Sequence, residues 1–162
     1  MSEHYFSEAP SGDFTPREIE VELLGTPHRL LTAGGVFSPE HLDRGTEILL
    51  RTISQLVVGS ESERSVEDRG PVLDLGCGWG PIALSAALAD PARQVWAVDV
   101  NARSRELTAM NAERLGLTNV HTASPEEVPS KIRFGAIHSN PPIRVGKQAL
   151  HEMLHLWLPR LV

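Results

Sequence analysis

The stretch Val72-Leu73-Asp74-Leu75-Gly76-Cys77-Gly78-Trp79-Gly80-Pro81-Ile82-Ala83-Leu84 carries a strand, a turn and the start of a helix. Val72 to Leu75 is a short, nearly continuous apolar run behind Pro71, as expected of a strand buried on both faces. Pro81 stands where a helix tolerates proline best, at its first position, and the apolar run to Ala89 follows it. Between strand and helix, Gly76, Gly78 and Gly80 let the backbone turn tightly and approach a ligand where a Cβ would clash. The loop reads as a cofactor seat. Its G-x-G-x-G spacing, with Asp74 two residues before it and Pro81 after it, departs from the G-x-G-x-x-G of dinucleotide sites and disfavours NAD. Asp74 also suits capping of loop amides, and Cys77 reads as a small buried loop residue.

Towards the C-terminus, apolar runs alternate with helical ones, the pattern of a parallel sheet with crossover helices on both faces. Strands are expected at Gln94–Asp99, Asn119–Ala123 and Phe134–Ser139. Helices are expected at Pro81–Ala89, Ala102–Leu115 and Lys147–Leu158. This is a doubly wound α/β domain. Towards the N-terminus, residues 1–16 read as an extended lead-in. Ile19, Val21 and Leu23 alternate with Glu18, Glu20 and Glu22 before a turn at Gly25-Thr26-Pro27 and a second strand at His28–Thr32, giving a hairpin with one wet face. Ser38 and Pro39 look like the cap and first residue of a helix reaching Val57. Gly59–Gly70, polar and without apolar period, reads as a flexible loop. The chain thus divides into a 1–58 N-terminal segment, a 59–70 loop and a 71–162 core, all within one domain.

Two further features carry chemistry. Asp99 ends the second core strand 23 residues after Gly76, where a carboxylate can accept both hydroxyls of an adenosine ribose. The fourth strand delivers Asn140-Pro141-Pro142-Ile143 to the same edge of the sheet, and the prolines make that turn rigid. A planar exocyclic amine is a poor nucleophile because its lone pair is delocalised. If the Asn140 side-chain oxygen and the Pro141 carbonyl each accept one of its hydrogens, the lone pair is aimed at an electrophilic methyl without a strong base.

Together these residues resemble class I S-adenosylmethionine-dependent methyltransferases, and more narrowly the small-subunit ribosomal RNA guanine-N2 methyltransferase family. The likeness runs through HYFS at 4–7, GVFS at 35–38, LDRGTEILL at 42–50, VLDLGCGWGPIAL at 72–84, AVDVN at 97–101 and SNPPIRVGK at 139–147. It implies a Rossmann-like methyltransferase fold with S-adenosyl-L-methionine as cofactor and S-adenosyl-L-homocysteine as product. Gly76, Gly78 and Gly80 would pass beneath the methionine and ribose, with Asp74, Asp99, Asn101, Ser124, Glu126 and Asn140 completing the cofactor site. Asn140 and Pro141 would be catalytic, holding the target amine, and Pro142, Ile143, Arg144 and Lys147 would meet the substrate. The hairpin and the Gly35–Leu50 segment, with Phe37, would roof the cofactor. Three departures from the pattern stand out. Pro125 occupies the place after Ser124 where an acid or amide is usual, so the adenine contact would pass to Glu126 or be lost. Ile143 replaces an aromatic ring. The chain also stops at Val162, short of about three further strands. An apolar edge at Phe134–Ser139 would then seek a second copy or a complementing polypeptide.

Composition narrows the alternatives. The 162 residues carry a formal charge of −6, so any RNA contact is local; Lys131, Arg133, Arg144 and Lys147 around the Asn-Pro-Pro turn suit a phosphate-bearing substrate. One cysteine leaves no intrachain disulfide, and neither a signal peptide nor a membrane-spanning run is visible, so a cytoplasmic protein is expected. His151-Glu152-Met153-Leu154-His155 spells the H-E-x-x-H zinc motif, but only seven residues follow it and none is a metal ligand, so no metal is expected. A module that binds the cofactor without transfer, and methylation of a protein glutamine amide or of adenine N6, remain open alternatives.

Overall fold

The computed structural model describes residues 12–60, 69–141 and 146–162. Strands β1 (Arg17–Leu23) and β2 (Thr26–Thr32) form an antiparallel hairpin with Glu20 opposite Arg29. The turn is Leu24-Gly25, with φ of 51° and 78°. Both residues are left-handed, as a two-residue turn needs to match strand twist, so the strand resumes at Thr26 and takes in Pro27 beside the turn. Val21, Leu23 and Leu30 are buried while Glu18, Glu20 and Glu22 face water, the expected wet and dry sides.

The core is a four-stranded parallel sheet of β3 (Val72–Leu75), β4 (Val95–Val98), β5 (Val120–Ala123) and β6 (Ala136–His138), in the order β5-β4-β3-β6. Its crossover helices are α2 (Pro81–Ala89) and α3 (Ala102–Arg114). Helix α1 (Arg44–Ser60) precedes β3, and α4 (Lys147–Trp157) follows β6. Side chains alternate across the sheet: Val72, Val95 and Ala97 pack with Ala83 and Ala87 of α2, while Leu73, Leu75, Val98 and Ala123 pack with Phe134 and with Trp157 of α4. Helix α2 is apolar all round, so it is buried from Pro81 to Ser85. The hairpin packs on α2 and α3 through Leu30, Trp79, Leu84 and Leu107. Fully burying a side chain such as Leu30 stabilises the fold by about 1.5–3 kcal/mol.

Asn111 of α3, wholly buried, locks that contact. Its Oδ1 accepts the Leu31 N–H (2.6 Å), and its Nδ2 donates to the Leu31 carbonyl (2.9 Å) and the Trp79 carbonyl (2.9 Å). One side chain thereby pairs with β2 as a neighbouring strand would and ties it to the glycine loop.

Three expectations are corrected. Helix α1 starts at Arg44, not Pro39: Ser38 is left-handed (φ 46°), its hydroxyl donates to the His41 carbonyl, and the Trp79 indole donates to the Ser38 carbonyl (3.1 Å). Asp43 caps the helix instead, accepting the Thr46 N–H at 3.1 Å. The fourth strand is shorter than expected. Phe134 lies outside it in an isolated parallel bridge to Leu161, donating to the Arg160 carbonyl and accepting from the Val162 N–H (3.0 Å). Arg133 lies at the opposite end of the sheet from Asn140, lining a cleft with Pro71, Arg93 and Gln94, all before the first residues of their strands. Lys131 is two residues earlier on the same loop, so sequence proximity to the Asn-Pro-Pro turn does not bring either cation to it. The expected loop tip at 61–68, the HYFS stretch and residues 142–145 lie outside the described residues. No helix among the described residues is long and apolar enough to cross a membrane.

Candidate active site

The strand order reverses at β3: α2 leads outward to β4 and β5, and the chain returns to β6 on the other side. The carboxyl ends of β3 and β6 therefore diverge into a crevice, the usual ligand position in an open parallel sheet. Its floor is the glycine loop. Gly76 and Cys77 donate to the Val98 carbonyl (2.7 and 3.1 Å), and Thr108 donates to the Gly78 carbonyl (3.0 Å). Gly76 (φ 84°) and Gly78 (φ 56°) are left-handed, and a Cβ on either would meet only open space within 4 Å. Gly80 (φ 108°) differs, because a Cβ there would come within 3.1 Å of Leu84 and Thr108. Two glycines thus open towards the crevice and the third lets α2 approach α3.

Asp74 is wholly buried beneath the loop. Its Oδ2 accepts the Ala83 N–H (3.0 Å) in the first turn of α2, while Oδ1 is buried with no partner among the described residues. Burial pushes its carboxyl up to about 7, against the pull of the Ala83 bond and with a further push from Asp99. Asp99 stands across the loop. Burial raises its carboxyl too, partly offset by bonds from the Asn101 and Gly78 amides. The same burial, with both carboxylates nearby, pushes the Cys77 thiol far up, leaving it inert.

Asn140 follows β6, and Ser139 fixes its approach by donating to the Leu75 carbonyl across the crevice (2.8 Å). The Asn140 Nδ2 donates to Asp43 Oδ2 (2.8 Å) and Thr46 Oγ1 (2.9 Å), using both hydrogens. A cavity of about 370 Å³ connects these groups. Phe37 bounds it on one side and Gly76, Gly78 and Asp99 along the floor; Asn140 and Pro141 close the far end. Its remaining wall is mostly apolar, with Val100, Pro125 and Leu150, Met153 and Leu156 of α4 beside the polar Ser104 and Glu152. The size suits a small ligand.

Sequence reasoning brought Phe37, Gly76, Gly78, Asp99, Asn140 and Pro141 to this cavity. Asp74, Gly80, Asn101, Ser124 and Glu126 do not line it, Asp74 because it is wholly buried beneath the loop. Asn101 is buried and caps α3, accepting from the Arg103 (2.9 Å) and Ser104 N–H groups, while its Nδ2 donates to the Gly35 carbonyl (2.8 Å). It thus braces the segment leading to Phe37. Ser124 and Glu127 form a capping box around a single 3₁₀ turn, and Glu126 points to solvent. Of the N-terminal segment, only Phe37 reaches the cavity among the described residues, so the hairpin supports the roof from outside. Lys147 is exposed at the start of α4. His151 and His155 are exposed on the same helix, Glu152 accepts from Gln148, and no group of three potential metal ligands gathers among the described residues. Val100, Pro125 and the α4 residues were missed as lining. The apolar stripe of α4 was the available signal, since Leu150 and Met153 recur at helical spacing.

The cavity fits S-adenosylmethionine on two structural grounds. The glycines leave room for a chain to lie on the backbone, and Asp99 keeps acceptor capacity on both oxygens after its two backbone bonds.

The profile of the methyltransferase small domain matches residues 27–158. The YbxB protein of Bacillus subtilis is 39% identical over 156 residues, covering 94% of this chain and 73% of that one. Ribosomal RNA small subunit methyltransferase C of Shewanella loihica is 33% identical over 134 residues, 81% of this chain but 36% of its own length. Among solved structures, a T. thermophilus 16S rRNA N2 methyltransferase (RsmC) in complex with AdoMet and guanosine superposes with a TM-score of 0.76 at 25% identity, covering 93% of this chain and 40% of that one. The chain therefore spans well under half the length of the ribosomal RNA methyltransferases it matches, and the family profile covers most of this chain. It belongs to the methyltransferase small domain family.

Proposed function

We propose that the chain is an S-adenosylmethionine-dependent N-methyltransferase acting on an exocyclic amine of RNA, with guanine N2 of small-subunit ribosomal RNA as its target. The observation that carries this reading is the Asn140 amide, whose two hydrogens are committed to Asp43 and Thr46, leaving its oxygen as the acceptor beside a cavity floored by Gly76, Gly78 and Asp99. The relatives named as ribosomal RNA methyltransferases and the neighbour holding AdoMet and guanosine support the same substrate and cofactor.

Gly76 and Gly78 would carry the methionine part of the cofactor, Asp99 its ribose, and Val100 and Pro125 the apolar faces of its adenine. When bound, that cofactor supplies a methyl group on a positively charged sulfur. The protein's part is orientation. Asn140 Oδ1 and the Pro141 carbonyl each accept one hydrogen of the target amine, which draws the nitrogen lone pair out of conjugation and towards the cavity. Phe37 and the α4 side chains exclude water around it, and Lys147 offers a charge to a phosphate.

Calorimetric titration with S-adenosylmethionine, then methyl transfer to an unmodified small-subunit ribosomal RNA transcript read by nucleoside mass spectrometry, tests this. N2-methylguanosine is expected. Methyl on adenine N6 or on a protein glutamine would redirect the substrate assignment, and cofactor binding without transfer to any of the three would overturn the enzyme reading.

A further inference from the structure

The geometry points to Asp43 as a positioning residue that fixes which end of the Asn140 amide faces the target amine. The inference rests on the role just proposed for Asn140. The two residues lie 97 positions apart, and Asp43 Oδ2 accepts Asn140 Nδ2 at 2.8 Å. Thr46, nearly fully buried, accepts the other hydrogen at 2.9 Å.

The nitrogen and oxygen of an amide have nearly the same shape, so packing alone scarcely distinguishes an amide from its flipped form. Hydrogen-bond chemistry does. A carboxylate only accepts, so the end of Asn140 that meets Asp43 must be the NH₂. A threonine hydroxyl alone would not decide, since it can donate or accept. In the flipped amide, NH₂ would confront the N–H hydrogens of the target amine, donor against donor, and the oxygen would confront the carboxylate. Asp43 thus makes the productive orientation the favoured one before substrate arrives.

The surroundings hold Asp43 rigid. Its Oδ2 also accepts the Thr46 N–H, so the carboxylate is anchored to the first turn of α1. Gly45 allows the three groups to converge: a Cβ there would lie 2.9 Å from Asp43 Oδ2 and 3.3 Å from both terminal atoms of Asn140. Asp43, Gly45 and Thr46 together form the clamp.

Helix capping alone would also explain an aspartate here, and two variants separate the roles. Asp43→Ser keeps a good cap but is too short to reach Asn140. Asp43→Asn retains an oxygen for both Thr46 and Asn140. The first readout is hydrogen exchange of the Asn140 side-chain amide, assigned by its loss in Asn140→Ala and followed by nuclear magnetic resonance without substrate. Slow exchange is expected in the parent and in Asp43→Asn, and exchange faster by about tenfold or more in Asp43→Ser. The second is single-turnover transfer from S-adenosylmethionine to the small-subunit ribosomal RNA transcript, expected to fall about tenfold or more in Asp43→Ser, to recover in Asp43→Asn, and to leave cofactor affinity unchanged. Equal amide exchange in parent and Asp43→Ser overturns the clamp. Full transfer by Asp43→Ser alongside loss in Asn140→Ala overturns its positioning role, whereas full transfer by Asn140→Ala overturns the role of Asn140 itself.

Discussion

The Asp99 carboxylate accepts the backbone N–H of Gly78 at 3.0 Å, so the acid at the end of β4 shapes the glycine loop at the end of β3. Its other oxygen accepts the Asn101 N–H at 2.9 Å. Two backbone bonds therefore aim the carboxylate before any ligand arrives. Asp99→Ala should lose both this preorganisation and the ribose contact, weakening S-adenosylmethionine by about 1.5–3 kcal/mol in a calorimetric titration. Affinity equal to the parent's would show that the ribose lies elsewhere.

Gly76 and Gly80 separate seat from scaffold. Both have positive φ, so alanine at either strains the backbone by about 1 kcal/mol or more. Only Gly80 has neighbours within 3.1 Å of the added carbon. Gly80→Ala should therefore lower the denaturation midpoint more than Gly76→Ala does, whereas Gly76→Ala should impair cofactor binding more. Identical stability losses would contradict this division of roles.

Asp74 gives the fold a pH dependence opposite in sign to that of a salt-bridged acid. Its folded pKa of about 7 lies above the unfolded value of 3.8, so between them the folded state holds the proton and the unfolded state does not. Stability should fall as pH rises from about 4 to about 7, by a few kcal/mol at most. Asp99 shifts in the same direction and adds to the slope. Asp74→Asn can still accept the Ala83 N–H, and it should flatten, without abolishing, the decline in melting temperature between pH 5 and pH 8. An unchanged slope in thermal melts would assign the dependence to other groups.

The parts of this design that are local were legible in the sequence. Val72–Leu75 and Pro81–Ala89 match the expected bounds because a buried strand, a glycine turn and a proline-led helix are each written in neighbouring residues. The place of Asp99 and Asn140 on the cavity was legible because parallel strands deliver the residues that follow them to the same edge of the sheet. What failed was long-range. The start of α1 shifted because Trp79, 41 residues away, bonds the Ser38 carbonyl and fixes a turn where Pro39 suggested a helix. Asn101 has an ordinary capping signature, yet its amide also braces Gly35, 66 residues distant. Nor does any local pattern pair Asp43 with Asn140.

Asn140 should prove dispensable for the fold and necessary for the chemistry. Its side chain sits at the rim of the sheet, partly buried, and its partners keep other bonds when it is removed: Asp43 Oδ2 still accepts the Thr46 N–H. Asn140→Ala should therefore move the melting temperature little. Transfer is another matter, because the oxygen that orients the target amine would be gone while cofactor affinity, resting on Gly76, Gly78 and Asp99, stays close to the parent's. A fall of about 10² or more in the single-turnover rate is expected, the usual consequence of losing one preorganised hydrogen-bonding group. Thermal melts, titration with S-adenosylmethionine and transfer at saturating cofactor on the same preparations decide it. A rate equal to the parent's would remove Asn140 from the mechanism, and a large drop in melting temperature would mean that the turn after β6 holds the sheet together rather than aiming a substrate.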